Sequence, residues 1–199
     1  MRLVPSRRAA FWIWITLVVL TEVHLLIGVS CVVDRLDGKG YPYRLAVNTL
    51  AMLAVPTLWW LVQRRRSDPQ PVPWWPAALV TASFAFDALG NQLDLYDSWE
   101  PWDNLSHFVT WFFLLWGIGL LVARAEVRPR WALIATITGL GAAFAVVWEI
   151  GEWYTFIRQG TELSGAYEDT LSDELLGTLG AACAALLVAR SAAAEPERL

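Results

Sequence analysis

The sequence is poor in cysteine and histidine, with two residues of each among 199. Cys31 lies near the end of one apolar run and Cys183 lies well inside another, so the two thiols are expected at different depths. A disulfide and a cysteine-ligated structural zinc site are therefore not predicted. The sequence also lacks phosphate-binding loops, haem or flavin motifs, nucleic-acid-binding patterns and internal repeats, which argues against those classes of protein.

Apolar residues are abundant instead, at 56% of the chain. They form runs close to the ~20 residues that cross a hydrocarbon core of ~30 Å. Most of the 13 tryptophans lie near the ends of these runs, where an indole ring prefers the headgroup level. The first run follows three arginines but is longer than the apolar core of a secretory signal and contains Glu22 and His24, so a retained helix is predicted.

The runs predict an all-α, polytopic membrane protein with a single domain over residues 1–199. Turn-forming segments such as DGKGYPY (37–43) and SDPQPVP (67–73) separate the runs. The predicted architecture is a bundle of about six transmembrane helices, with spans at 10–33, 44–62, 74–93, 104–123, 131–156 and 171–190.

Basic residues are divided unequally between the two sides of this predicted bundle. One side carries Arg2, Arg7, Arg8, Arg64, Arg65, Arg66, Arg124, Arg128, Arg130, Arg190 and Arg198, and the other carries Arg35, Lys39, Arg44 and Arg158. The positive-inside rule therefore predicts that both termini are cytoplasmic. Acidic residues follow the opposite trend, since Asp68, Glu126, Glu195 and Glu197 are the ones on the arginine-rich side.

Polar residues within the predicted spans or at their outer ends converge near the outer interface. They are Glu22 and His24, Asp87 and Asn91, Asp103 and His107, Glu149 and Glu152, and Asp169 and Asp173. The pairs Asp103/His107 and Glu149/Glu152 each lie on one helical face. An ionised carboxylate in hydrocarbon costs about 2.5–3.5 kcal/mol, so such groups normally pair or bind a ligand. The outer basic residues are too few to pair with them all.

This excess of acid predicts a divalent-cation site. The proposed metal ligands are Asp103, His107, Glu149 and Asp173, the proposed catalytic bases are Glu152 and Asp169, and the proposed buried polar support is Asp87 and Asn91. Carboxylate oxygens favour Mg²⁺, Mn²⁺ or Ca²⁺, whereas imidazole ligands favour Zn²⁺ or Fe²⁺.

Several of these residues also have a structural explanation. Asp103 follows Pro101 and is placed to cap the fourth predicted helix, and Thr170 with Asp173 has the spacing of a capping box at the start of the sixth. Glu149 and Glu152 lie near enough to the interface to be solvated. His24 is interpreted as a core histidine bonded to a neighbour rather than as a metal ligand.

Glycines provide a further structural prediction. They lie at positions 139 and 141 of the fifth predicted helix and at positions 177 and 180 of the sixth. Small residues let two membrane helices approach closely, so these two helices are expected to pack together.

Three segments of the chain, DALGNQLDLYDSWEPWDNLSHF, WEIGEW and YEDTLSDELLGTLGA, resemble the YjdF-like family of predicted bacterial inner-membrane proteins over about residues 84–185. The second half is also similar to the wider VanZ-like group. The positions that match its pattern are Asp103, His107, Phe108, Glu149, Asp173, Gly180 and Ala181. Gly177 departs from that pattern, which has Asn there. The resemblance implies a multi-pass protein of the bacterial cytoplasmic membrane with a role in the cell envelope.

Three functions remain open from the sequence. The first is a divalent-metal-dependent enzyme that acts on a lipid or a lipid-linked envelope substrate. The second is a proton- or cation-coupled transporter that uses the same carboxylates. The third is a non-catalytic scaffold or envelope-stress protein. All three have membrane lipids as partners and none involves nucleic acid, and the sequence carries no signal for an oligomeric state.

Overall fold

The chain folds into α-helices, as predicted. A computed structural model describes residues 4–36, 39–155, 157–159, 163 and 165–194, and no strand occurs among them. Short 3₁₀ turns lie at Asp34–Leu36, Ala123–Ala125 and Ile157–Gln159. The helices are α1 (Arg7–Val29), α2 (Tyr41–Gln63), α3 (Trp74–Gln92), α4 (Leu95–Ser98), α5 (Trp102–Val122), α6 (Arg130–Thr155) and α7 (Ala166–Ala194).

Five of these helices, α1, α2, α5, α6 and α7, are long and apolar enough to cross a membrane. The sixth long helix, α3, has 19 residues and thus sufficient length, but Asp87 and Asn91 near its end lower its mean hydropathy. This helix occupies the interior of the bundle, and residues 76–81 are buried without interruption. Its neighbours rather than lipid therefore cover much of its surface.

The long helices form two groups of three. In the first group, α3 packs against α1 and α2, and in the second, α7 packs against α5 and α6. Extensive contact between α3 and α5 joins the two groups. The core of the second group includes Leu115, Ile137, Ala181 and Val188, all of which are almost fully buried. This arrangement places the start of α5 between α3 and α7.

The predicted contact between α6 and α7 is confirmed, although two of the four glycines serve another interface. Gly141 of α6 lies directly against Ala181 of α7, and a Cβ atom at position 141 would overlap that residue. Gly177 and Gly180 instead lie against Trp111 and Phe108 of α5. Both glycines of α7 thus serve its contact with α5, and Gly141 of α6 is the predicted glycine that serves the α6–α7 contact.

Local chemistry moves two helix boundaries away from the predicted spans. Helix α1 ends at Val29 rather than at residue 33, because the Ser30 amide bonds the Leu26 and Ile27 carbonyl oxygens and Cys31 adopts a left-handed backbone with φ 53°. Helix α7 begins at Ala166, five residues before the predicted position 171.

These boundaries overturn the two capping interpretations. Thr170 and Asp173 lie inside α7, so they do not form a capping box at its start. Pro101 occupies the N-cap of α5, and Asp103 is already in the first helical turn. Asp103 and Asp173 are therefore not cap residues of these helices.

Candidate metal centre

The predicted polar residues gather at one end of the bundle. Asp103 and His107 lie in the first two turns of α5, Glu149 and Glu152 lie in the last two turns of α6, and Asp173 lies near the start of α7. Because α6 runs antiparallel to α5 and α7, its end lies beside their starts, and the five side chains come together. All four residues that the sequence predicts as metal ligands are in this group.

The group comprises two overlapping triads with metal-ligand spacing. One triad is Asp103, His107 and Asp173, and the other is His107, Glu149 and Glu152; within each triad, the ligand atoms lie within 4.8 Å of one another. Oxygen or nitrogen ligands lie about 2.0–2.6 Å from a divalent cation, so two ligands of one ion can be at most about 5 Å apart. Each triad therefore satisfies the spacing for one ion, and His107 belongs to both.

Two carboxylates lie near the Nε2 atom of the His107 ring. Its Nε2 atom lies 3.7 Å from Asp103 Oδ1 and 3.5 Å from Asp173 Oδ2. These distances exceed the usual range of an N–H···O hydrogen bond, which is about 2.7–3.2 Å. The His107 ring therefore faces both carboxylates without a close hydrogen bond from its Nε2 atom to either of these oxygens.

Three buried polar atoms around this space have no hydrogen-bond partner among the described residues. They are His107 Nδ1, Glu149 Oε2 and Asp173 Oδ1, and they belong to residues that are 9%, 5% and 2% exposed. Leaving a buried polar group unsatisfied costs about 1–3 kcal/mol, and more if it is charged. The burial of Glu149 also contradicts the interpretation that this residue is solvated. Three such atoms, one from each of three helices, therefore lie at the same end of the bundle.

A separate network lies opposite this cluster and contains Asp87. Arg44 of α2 donates from Nη1 to Asp87 Oδ2 at 2.6 Å, and the Tyr96 hydroxyl donates to Asp87 Oδ1 at 2.9 Å. The Tyr96 oxygen also lies 2.6 Å from Ser106 Oγ of α5, while Asn91 donates to the Asp87 carbonyl oxygen at 3.1 Å. Arg44 is thus the buried partner that the position of Asp87 requires.

Tyr96 connects the two groups of helices through this network, because it bonds both Asp87 of α3 and Ser106 of α5. Burial raises the pKa of the Tyr96 phenol, and the adjacent Asp87 carboxylate raises it further. The phenol therefore remains protonated at neutral pH and acts as a hydrogen-bond donor.

A cavity of about 190 Å³ separates the cluster from the network. Its polar lining includes Arg44, Asp87, Asp103, His107 and Glu152, and its apolar lining includes Val47, Phe84, Trp111, Leu114 and Trp148. One chamber therefore combines a guanidinium group, a carboxylate and imidazole cluster and aromatic walls. Ligand sites typically have this combination of apolar walls with a few convergent polar groups.

Other predicted residues lie outside this chamber. Asp169 is exposed in the first turn of α7 and does not line the cavity. His24 is a buried histidine, with Nδ1 2.9 Å from Gln92 Oε1 and Nε2 2.9 Å from the Tyr41 hydroxyl. Its interpretation as a bonded core residue is confirmed.

Reasoning from the sequence missed two contributors to the site. Arg44 was counted only as an outer basic residue, and Tyr96 lies in the DLYDSWEP segment, whose acidic residues have a simple solvated interpretation. The sequence does indicate that Asp87 needs a basic partner, because a carboxylate within a membrane requires a cation beside it. The choice of Arg44 depends on how α2 and α3 are rotated against each other.

No curated protein and no solved structure matches the chain. A family described as "Predicted membrane protein (DUF2238)" matches residues 11–194, which is most of the sequence. The apolar helices agree with that description. The chain belongs to the DUF2238 family of predicted membrane proteins.

Proposed function

We propose that this protein is a divalent-metal-dependent membrane enzyme that hydrolyses the phosphate ester of a lipid or lipid-linked substrate. The observation that carries the proposal is the set of unpartnered buried atoms on His107, Glu149 and Asp173. With metal-ligand spacing, His107 forms one triad with Asp173 and another with Glu149. A bound cation satisfies these atoms and offsets the repulsion among the carboxylates.

The residues of the cluster divide into two roles. Asp103, His107, Glu149 and Asp173 hold the ion, and the excess of oxygen ligands favours Mg²⁺, Mn²⁺ or Ca²⁺ over Zn²⁺. A divalent ion held there would supply Lewis-acid polarisation of a phosphoryl oxygen. Glu152, which lines the cavity, accepts a proton from the attacking water. The water oxygen bonds to phosphorus, the ester P–O bond breaks, and Glu152 returns the proton to the leaving oxygen.

The arrangement of charge supports an outward-facing site with both termini in the cytoplasm. Most arginines lie at the opposite ends of the helices from the cluster, where the Arg124 guanidinium lies over the Trp59 ring at 4.9 Å. Helix α3 is the sixth crossing, because the other helices shelter its polar groups. The positive-inside rule then places the cluster near the outer face of a bacterial cytoplasmic membrane. The VanZ-like pattern around Asp103 and His107 adds support for an envelope role.

Metal binding can be tested with the two histidines of the chain, because His24 is a matched control for His107. We expect wild-type protein in detergent to retain Mn²⁺ and the His107→Gln variant to bind it at least about tenfold more weakly, as expected when a ligand is lost. His24→Gln leaves the affinity unchanged, since His24 lies outside both triads. Elemental analysis after equilibrium dialysis measures both results, and thermal unfolding verifies that each variant is folded.

Two outcomes contradict the metal site. Wild-type protein that retains none of Mg²⁺, Mn²⁺, Ca²⁺ and Zn²⁺ after dialysis overturns it. Equal Mn²⁺ affinity of the two histidine variants overturns the assignment of His107 as a ligand.

The hydrolytic step has a separate test at Glu152. We expect Glu152→Gln to retain Mn²⁺ and to release phosphate from phosphatidate at least about 100-fold more slowly than wild type, because the amide cannot accept the proton. Asp169→Asn serves as the control, since Asp169 is an exposed acid outside the cavity. Equal phosphate release by wild type and Glu152→Gln rules out this role for Glu152.

A further inference from the structure

Helices α2 and α6 line the same cavity but do not pack closely on each other within the described part of the chain. Arg44, Val47 and Asn48 of α2 contribute to the lining, as do Trp148 and Glu152 of α6. The main packing partners of α2 are α1 and α3, whereas those of α6 are α5 and α7. The part of the cavity that lies between these two helices, bounded by Val47 of α2 and Trp148 of α6, is called the gap.

The side chains on both sides of this gap are apolar, and some of them are exposed on the outside of the bundle. Val47 lines the cavity and is also 53% exposed, so the cavity and the outer surface of the bundle meet at this residue. On α6, Val147 next to Trp148 is 66% exposed. Both helices are apolar enough to cross a membrane, so an acyl or isoprenyl chain lying between them remains in an apolar environment.

The cavity also has polar groups that can bind the headgroup of a lipid. Arg44 lines it with a guanidinium group, which binds phosphate oxygens through directed hydrogen bonds. Asn48, a residue that is 2% exposed, contributes to the lining beside Arg44. The cation of the proposed metal site adds a second positive charge on the opposite wall.

We infer that a phosphorylated lipid enters laterally between α2 and α6, with its phosphate between Arg44 and the metal cluster and its chain in the gap. This inference rests on the proposed function and adds the route by which the substrate enters and the position of its phosphate. The headgroup lies within the cavity, while the chain extends past Val47 and Trp148 into the bilayer.

Photolabelling tests the route of entry. The probe is phosphatidate with a diazirine on one acyl chain, incorporated with the full-length protein into phosphatidylcholine vesicles. We expect irradiation to label residues beside the gap, and Val47→Trp to reduce this labelling at least about fivefold by filling the gap. Leu50→Trp is the matched control, because Leu50 is on the same helix, is 72% exposed and does not line the cavity; its labelling should equal that of wild type.

A second comparison in this experiment tests the role of the phosphate headgroup. Diacylglycerol with the same diazirine lacks the phosphate, and we expect it to label the gap at least about fivefold less than phosphatidate. Equal labelling by the two lipids overturns the phosphate assignment. Equal labelling of Val47→Trp and Leu50→Trp overturns the lateral route.

Metal content measured in the same vesicles separates this inference from the proposed function. If wild-type protein binds Mn²⁺ but the gap is not labelled by phosphatidate, the lateral route fails and the metal site stands. If the gap is labelled in protein that binds no divalent ion, the proposed metal-dependent function fails and the lipid route stands.

Discussion

Gly180→Ala is expected to separate α5 from α7 and to weaken metal binding. A Cβ atom at position 180 would overlap the Phe108 carbonyl oxygen, and it would lie 3.1 Å from the Phe112 amide nitrogen and 3.2 Å from the Phe108 carbonyl carbon. These are backbone atoms of a helix, so they cannot rotate away as a side chain can. We expect the free energy of unfolding to fall by about 1–3 kcal/mol, the usual effect of overpacking.

The metal site shares this interface, which explains the second part of the expected result. Asp173 lies two helical turns before Gly180 on α7, and its partners Asp103 and His107 precede Phe108 on α5. A small separation of the helices lengthens the distances between them in the first triad. Mn²⁺ affinity measured by dialysis should therefore fall together with the melting temperature.

Gly139→Ala is the matched control for this substitution. Gly139 also lies within a long helix, but a Cβ atom there meets no heavy atom within 4 Å. Alanine has the higher helix propensity, so this variant should be as stable as wild type or slightly more stable. If Gly180→Ala and Gly139→Ala melt at the same temperature, the tight α5–α7 contact is not present in the protein.

Arg44→Ala is expected to lower the free energy of unfolding by about 3–5 kcal/mol, because it leaves a carboxylate inside the bundle without its cation. The Arg44 and Asp87 side chains are 15% and 18% exposed. Lys39→Ala removes another cation from an ion pair, but its partner Asp97 has a side chain that is 60% exposed. The loss in that control should be about 0–1 kcal/mol. Reversible unfolding in detergent compares the two variants.

Replacing both partners distinguishes the cost of a lone charge from the loss of packing. The double variant Arg44→Met with Asp87→Leu leaves no unpaired charge, so it should be more stable than Arg44→Ala. A double variant that is no more stable than Arg44→Ala, or an Arg44→Ala loss as small as that of Lys39→Ala, contradicts the description of this pair as a buried interaction.

The sequence predicts the helices well because their apolar runs are set by the thickness of a bilayer. The boundaries at Val29 and Ala166 depend on local capping and on turn conformation, which hydropathy does not record. The sequence alone also does not predict where α3 lies in the bundle. Its run has the length of a span, but its location inside the bundle depends on contacts with three other helices.

Some features of the candidate site likewise follow from the sequence, whereas others depend on packing. The depth of a residue along a helix follows from its position and the rise per residue of 1.5 Å, so the sequence placed Asp103, His107, Glu149 and Asp173 at one level. The rotation of each helix about its axis depends on packing. That rotation decides that Asp87 meets Arg44 and that Asp169 remains exposed, and neither result follows from spacing alone.

The ligands of the proposed ion all come from α5, α6 and α7, which has a thermodynamic consequence. A ligand that binds only the folded state stabilises it in proportion to the logarithm of its concentration above the dissociation constant. Mn²⁺ should therefore raise the unfolding temperature of α5–α7 without directly stabilising α1–α3. The α3–α5 contact joins the two groups, so calorimetry at high Mn²⁺ concentration should show the first three helices unfolding together with the rest at the raised temperature.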